Sequence, residues 1–227
     1  MASAIVLLAA LLQFTAPPQA RTPEEYDAYL DVAEAAAPGD ILAAAQRFQR
    51  AHPRSELRSR VLEHCFEAER ALGNRARAIE KGEASLAVNP HNLALRADLA
   101  AVLANGAASE HETARAEAHA RRALDELNRF HPPRTVALAD WRRIDGKVRS
   151  AAHSALGMIE FRRDRPAEAI REFELALRFL PDAAVFYRLG KLYQITGREE
   201  EAASMFRRAI AENEPSVREL AERELSK

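Results

Sequence analysis

The stretch SALGMIEFRRDRPAEAIREFELALRFLPD (Ser154–Asp182) is followed, after a short gap, by YRLGKLYQITGREEEAASMFRRAIAENEP (Tyr187–Pro215). The two align at an offset of 33 residues. Leu156 falls on Leu189, Gly157 on Gly190, Ala169 on Ala202, Phe173 on Phe206 and Ala176 on Ala209. Five like residues in one register mark a repeat, which has to be read before any single element. An earlier stretch, GNRARAIEKGEASLAVNP (Gly73–Pro90), aligns with the second half of each copy: Gly73 with Gly197, Ala78 with Ala169 and Ala202, Pro90 with Pro181. There Gly82 stands where Phe173 and Phe206 stand, so this copy is expected to be less well filled.

Each copy reads as two antiparallel amphipathic helices joined by a turn. Gly73, Asp164 and Gly197 sit where the turn needs a left-handed backbone, and proline at 90 or 181 ends the second helix. Small residues at Gly157 and Gly190 in the first helices, and at Ala78, Ala169 and Ala202 in the second, let the paired helices approach to contact. Phe173 and Phe206 fill what remains.

On these residues the chain resembles the tetratricopeptide repeat family, whose degenerate signature is Leu-Gly in the first helix, then Ala, Phe, Ala and a closing Pro. The last two copies carry it, except for Glu160 in place of an aromatic and Pro215 one residue late. The copy over 59–92 keeps the second half, with Cys65 and Phe66 in place of Leu-Gly. The copy over 93–130 keeps Leu99, Ala100, Ala116 and Ala123 and is broken by a four-residue expansion around NGAASEHET. The resemblance implies an all-α, right-handed superhelical solenoid of about four to five helix hairpins.

The remaining segments fit that frame. Residues 22–58 read as a divergent first hairpin, with Thr22 as cap, Pro23 at the first helical position and Glu25 completing a capping box. Leu99 to Leu156 spans more than one period. Most of the excess lies around HPPRTVALADWRRIDGKV; Val136, Trp141, Ile144, Val148, Ala151 and Ala155 predict a first helix lengthened from about Ala139, within a hairpin over 131–182. Trp141 is expected beneath the extension. After the hairpin at 183–214, residues 215–227 read as a terminal capping helix with a Ser216–Glu219 capping box and apolar Val217, Leu220, Ala221 and Leu225.

Residues 1–20, MASAIVLLAALLQFTAPPQA, hold no charge and an apolar run over Ala4–Leu12, too short to span a bilayer. They read as a secretory signal peptide cleaved after Ala20, which places the mature chain, 21–227, in the periplasm or outside the cell with no membrane insertion after cleavage. A buried amino-terminal helix of a cytosolic protein is the alternative reading. The single cysteine, Cys65, excludes an internal disulfide and falls on the apolar side of its helix, where it reads as a small hydrophobe.

Of 227 residues, 33 are basic and 34 acidic, interleaved along the chain, so no global field draws in nucleic acid. The seven histidines are scattered, with His111 and His119 expected on the surface, and no phosphate loop, metal motif or nucleophile elbow is present. The expectation is a chain with no catalytic residues, metal or cofactor, whose partner is a protein or peptide. In the family the first helices line the concave face. Projecting the packing residues away leaves a recurring stripe: Glu63, Glu67 and Arg70; Ala97, Ala101 and Ala104; Ser154, Met158 and Phe161; Tyr187, Lys191 and Gln194. Such a groove is charged at one end, smooth over alanine, apolar at Met158 and Phe161 and hydrogen-bonding beyond, which suits an extended or helical peptide. The family's basic clamp for a terminal carboxylate is not reproduced, because Glu63, Glu67, Ala97 and Ala101 occupy its place. The competing expectation is a structural subunit of a cell-envelope assembly, docked through the convex face or the long helix.

Overall fold

A computed structural model describes residues 19–130, 132 and 137–226. The signal-peptide segment through Pro18 and the expected apolar position Val136 lie outside the described residues. Eleven helices and no strand are found among them: α1 (Pro23–Ala33), α2 (Pro38–Ala51), α3 (Arg58–Ala71), α4 (Arg75–Val88), α5 (Leu93–Asn105), α6 (Glu110–Arg129), α7 (Leu138–Arg162), α8 (Pro166–Phe179), α9 (Ala183–Ile195), α10 (Glu199–Ala211) and α11 (Pro215–Leu225). Successive helices pair as hairpins, α1 with α2 through α9 with α10. The odd-numbered first helices form one layer, in which α5 packs directly on α7 and α9 on α11, and the even-numbered helices form the other.

The turns follow from local chemistry. Gly73 and Gly197 adopt φ +74° and Asp164 φ +56°, left-handed positions that glycine, and less readily aspartate, tolerates. Each such turn is closed by a long backbone bond, Asn74 N–H to Glu69 O, Arg165 N–H to Glu160 O and Arg198 N–H to Tyr193 O. The side chains repeat the same pairing. Asn74 donates to Glu69 at 2.7 Å, Arg165 pairs with Glu160 at 2.8 Å, and Arg198 lies 4.1 Å over the Tyr193 ring. Glu160, which breaks the aromatic pattern, is therefore a buried carboxylate held by arginine, with Arg163 at 3.7 Å as a second partner.

Packing inside the hairpins explains the small residues. A Cβ built on Gly157 would stand 2.8 Å from the Phe173 ring, and one on Gly190 would stand 2.7 Å from Phe206. Each ring lies flat on a bare stretch of its partner helix. The hairpin α3/α4 is not poorly filled, as Gly82 suggested; it carries the same contact reversed. Phe66 occupies the place of Gly157 and Gly82 that of Phe173, both pairs 16 residues apart in the sequence, and a Cβ on Gly82 would stand 3.1 Å from the Phe66 ring. In α5/α6 both places are alanine, Ala100 and Ala120, fully buried.

The long insertion extends two helices. α6 runs 20 residues, its buried stripe continuing from Thr113 through Ala116, Ala120 and Ala123 to Leu127, and α7 runs 25. Trp141 packs on Phe130 with ring centroids 5.1 Å apart and lies partly buried against the core, so it is a packing residue. α5 ends at Asn105 and α6 is capped by Ser109, whose hydroxyl accepts from Glu112 N–H. Carbonyls at and just beyond the end of α5 are taken by two arginines. Arg75 donates to Val102 O and Leu103 O, while Arg162 donates to Ala104 O, Asn105 O and Ala107 O at 2.9–3.0 Å.

Two terminal details differ from expectation. Thr22 caps α1, but Glu25 accepts from Arg21 N–H. At the other end Pro215 opens α11, placing Ser216 inside the helix with its hydroxyl on Glu214, so no Ser216–Glu219 box forms. Proline's fixed φ suits the first helical position and shifts the start by one residue. Val217 and Ala221 are buried, whereas Leu220 and Leu225 are exposed.

Candidate functional site

The inner face of the first-helix layer is assembled from α3, α5, α7 and α9. On α3, Glu67 and Arg70 are exposed and Glu63 is partly buried. Glu63 is paired with Arg60 at 3.4 Å, and Arg70 grips Glu67 at 2.5 and 2.9 Å. Arg60, missed in the sequence because it reads as one more surface charge, is buried with its guanidinium against Glu63.

On α5 the stripe is corrected. Ala97 and Ala104 are fully buried in the core and cannot line a surface; only Ala101 of the three keeps partial access. The reason is that α7 packs on α5 from one side while α6 packs from another, so faces that would be open on an amphipathic helix are closed. Asp98, flanked by the half-buried Ala94, is exposed on this helix, as is Asn105 at its end. Asp98 is reached by water but walled by protein. That confinement, with the nearby Glu67 charge, pushes its carboxyl up to about 6, against the opposing pull of Arg70 and Lys147.

Farther along, Ser154 and Met158 of α7 are partly accessible, and Met158 bridges the two larger core clusters. Phe161 is 44% exposed, an aromatic with no cover at the end of this helix. On α9, Tyr187 leans on Phe206 with ring centroids 5.8 Å apart. Lys191 and Gln194 are not open donors in the way the sequence suggested. Lys191 Nζ donates to Gln194 at 2.9 Å and to Glu224 of α11 at 3.0 Å, so the terminal helix closes this end of the groove.

At the other end, where α3 and α5 approach far less closely than α5 and α7 do, a cavity of about 210 Å³ opens between them beside Tyr29 of α1. Its walls include Glu63, Glu67, Asn92, Leu95 and Asp98. Burial raises the Glu63 carboxyl above the ordinary range, opposed by Arg60 and by the amide of Asn92, yet its Oε1 is shielded from solvent without a hydrogen bond at normal distance. Burial lowers the neighbouring His64.

The remaining candidates resolve simply. Cys65 is buried, and desolvation pushes its thiol up to about 11, as expected of a packing residue. His111 is exposed, but His119 is half-buried with Nδ1 3.4 Å from Arg96, and burial followed by that charge lowers it to about 4. No three histidine, cysteine or carboxylate side chains converge as a metal site among the described residues. No helix among them is long and apolar enough to cross a membrane.

No protein-family model matches the chain, and no curated protein matches it. Solved structures do. MamA from Desulfovibrio magneticus RS-1 is similar with a TM-score of 0.54 at 16% identity, covering 85% of this chain and 96% of that one. A thermophilic TPR protein from Thermus thermophilus is similar with a TM-score of 0.53 at 18% identity, covering 84% and 91%. The fold is thus a TPR-like all-α solenoid.

Proposed function

We propose that this chain is an exported, non-catalytic scaffold that binds a protein or peptide segment along the inner groove of its solenoid. The observation that carries the reading is the inner face itself. Asp98 is exposed and raised in pKa, Phe161 is uncovered and Met158 is partly accessible, all on the rigid, close-packed first helices. A fixed apolar and charged strip on helices suits recognition of an extended or helical segment. Export rests on the uncharged apolar run at the amino terminus. The chain's role follows from its surface, since a solenoid scaffold leaves specificity to variable positions.

The test is capture of partners from the cells that make the protein, with wild type compared with Phe161→Glu. Loss of capture at an unchanged melting temperature supports the groove. Retention in Phe161→Glu, with loss on substitution of exposed residues of α8 or α10, transfers the interface to the outer layer. Phe161 is a cleaner probe than Tyr187, whose ring is part of the Phe206 packing.

A further inference from the structure

We propose that Asn105 is a site of spontaneous deamidation, in which the backbone nitrogen of Gly106 attacks the asparagine side chain, water completes the reaction, and the Arg162 guanidinium sets the rate. No other asparagine in the chain precedes glycine. Asn105 is exposed and is the last residue of α5, and the glycine after it places no Cβ against the attacked amide. A second observation marks the same peptide bond. Among the described helices α5 alone ends without its capping N–H donated to a carbonyl: Gly106 N–H has no acceptor among the described residues, whereas Leu72, Asn89, Arg163 and Thr196 each donate to the carbonyl four residues back. The cause is Arg75. Its Nε donates to Val102 O, the carbonyl that Gly106 N–H would otherwise reach, and a Cβ on residue 106 would collide with that same Nε. Arg75 therefore requires glycine at 106 and leaves its nitrogen unbonded.

The reaction needs no oxidant or reductant. Gly106 N bonds to Asn105 Cγ and gives up its proton, the side-chain nitrogen leaves as ammonia, and a succinimide ring joins the two residues. Water then opens the ring. Cleavage between Gly106 N and Cγ leaves aspartate in an ordinary backbone; cleavage at the backbone carbonyl leaves isoaspartate, whose main chain runs through Cβ and Cγ and is longer by one atom. For the attack, the Asn105–Gly106 peptide has to turn out of the helical conformation. Arg162 opposes that turn by donating to Asn105 O at 3.0 Å and to Ala107 O at 2.9 Å. Either product puts a carboxylate where the helix dipole already concentrates negative charge, and isoaspartate also shifts Asn105 O relative to Ala107 O. Asp145–Gly146 is able to close the same ring with loss of water, but it lies inside α7 with its carboxylate held by Arg149 at 2.9 and 3.0 Å.

The experiment incubates the purified, folded chain in mildly alkaline buffer and follows each asparagine by peptide mapping and mass spectrometry, with enzymatic methylation of isoaspartate as a second readout. The expected result is conversion of Asn105 ahead of Asn213, which is also exposed but precedes Glu214, while Asp145 keeps its ordinary backbone. In Arg162→Ala, conversion at Asn105 is about five- to thirtyfold faster, the factor that loss of hydrogen bonds from a charged donor implies. Arg162→Lys, which keeps the charge without the fork, also speeds conversion and serves in place of the alanine variant if that one loses its helical circular dichroism. Gly190→Ala, which destabilises a different hairpin, leaves the rate unchanged. Wild-type conversion at Asn105 no faster than at Asn213 overturns the site. An equal rate in wild type and the Arg162 variants overturns the role of Arg162, and equal acceleration by Gly190→Ala overturns it too, by tracing the reaction to global unfolding.

Discussion

The reversed contact in α3/α4 allows a direct test of how the repeats are built. Phe66→Gly removes a ring with no solvent exposure and places glycine in a helix. The cavity costs about 3–5 kcal/mol and the glycine about 1 kcal/mol more. Gly82→Phe alone forces a second ring into a site where even a Cβ would meet Phe66 at 3.1 Å and Leu99 at 3.2 Å, an overpacking of about 1–3 kcal/mol. Were the sites independent, the double variant would lose roughly 5–9 kcal/mol, comparable to a whole domain's stability. The double variant, however, recreates the arrangement of Gly157 and Phe173, with the ring on the second helix and the bare stretch on the first. The expected loss is about 3 kcal/mol, the remainder reflecting adjustment of Leu99, so the pair recovers at least about 2 kcal/mol relative to the sum. Urea unfolding followed by far-ultraviolet circular dichroism reads this even if Phe66→Gly alone unfolds, because the double variant would regain its helix signal. Simple additivity, or a double variant no more folded than Phe66→Gly, would refute the equivalence of the two hairpins.

Other consequences follow from single contacts. Gly190→Ala is expected to destabilise, because moving Phe206 from 2.7 Å to a normal contact of about 3.5 Å outweighs the alanine's helix propensity; Gly39→Ala, with open space around it, should be neutral or stabilising by under about 1 kcal/mol in the same assay. Asp98→Asn should raise the melting temperature slightly. A carboxyl raised from 3.8 to about 6 makes the folded state bind its proton more tightly, so its burden grows as pH rises through that window, though solvent access holds the effect below about 1 kcal/mol. His119, lowered to about 4, should show no protonation above pH 5 by proton NMR, and its contribution to stability is lost as pH falls from 6.5 towards that value; a midpoint near 6.5 would place it in free solvent instead. Arg162→Ala should cost about 1–2 kcal/mol in urea unfolding through the three carbonyls it leaves at the end of α5, and a change below about 0.3 kcal/mol would show that water replaces it without loss.

The period and its turns were legible because the 33-residue offset aligns residues whose roles are conformational, such as Gly197 and Asp164, or steric, such as Gly157 and Phe173. What escaped was pairwise. A column-by-column alignment registers Phe66 and Gly82 as two departures, while the packing makes them one exchange of volume across a helix pair. α5 defeated the projection of groove residues for a different reason. With Leu93, Leu95, Leu99, Leu103 and alanines on every side it is apolar all round. Periodicity therefore could not say which alanines face out, and only the approach of α6 and α7 buries Ala97 and Ala104 and leaves Asp98 open. Likewise the extra length of α6 was assigned entirely to α7, although Leu127 continues the α6 stripe. The engagement of Lys191 by Glu224 joins residues 33 apart, a contact that depends on how the terminal helix docks.

The most direct measurement of the binding surface is site-specific photocrosslinking in the producing cells, with the photoreactive residue placed at Ser154 on the inner face or at Arg171, an exposed position on α8. Adducts formed from 154 and lost on Phe161→Glu, with none from 171, are what the groove predicts. Adducts from 171 alone would contradict it and move the partner to the convex layer.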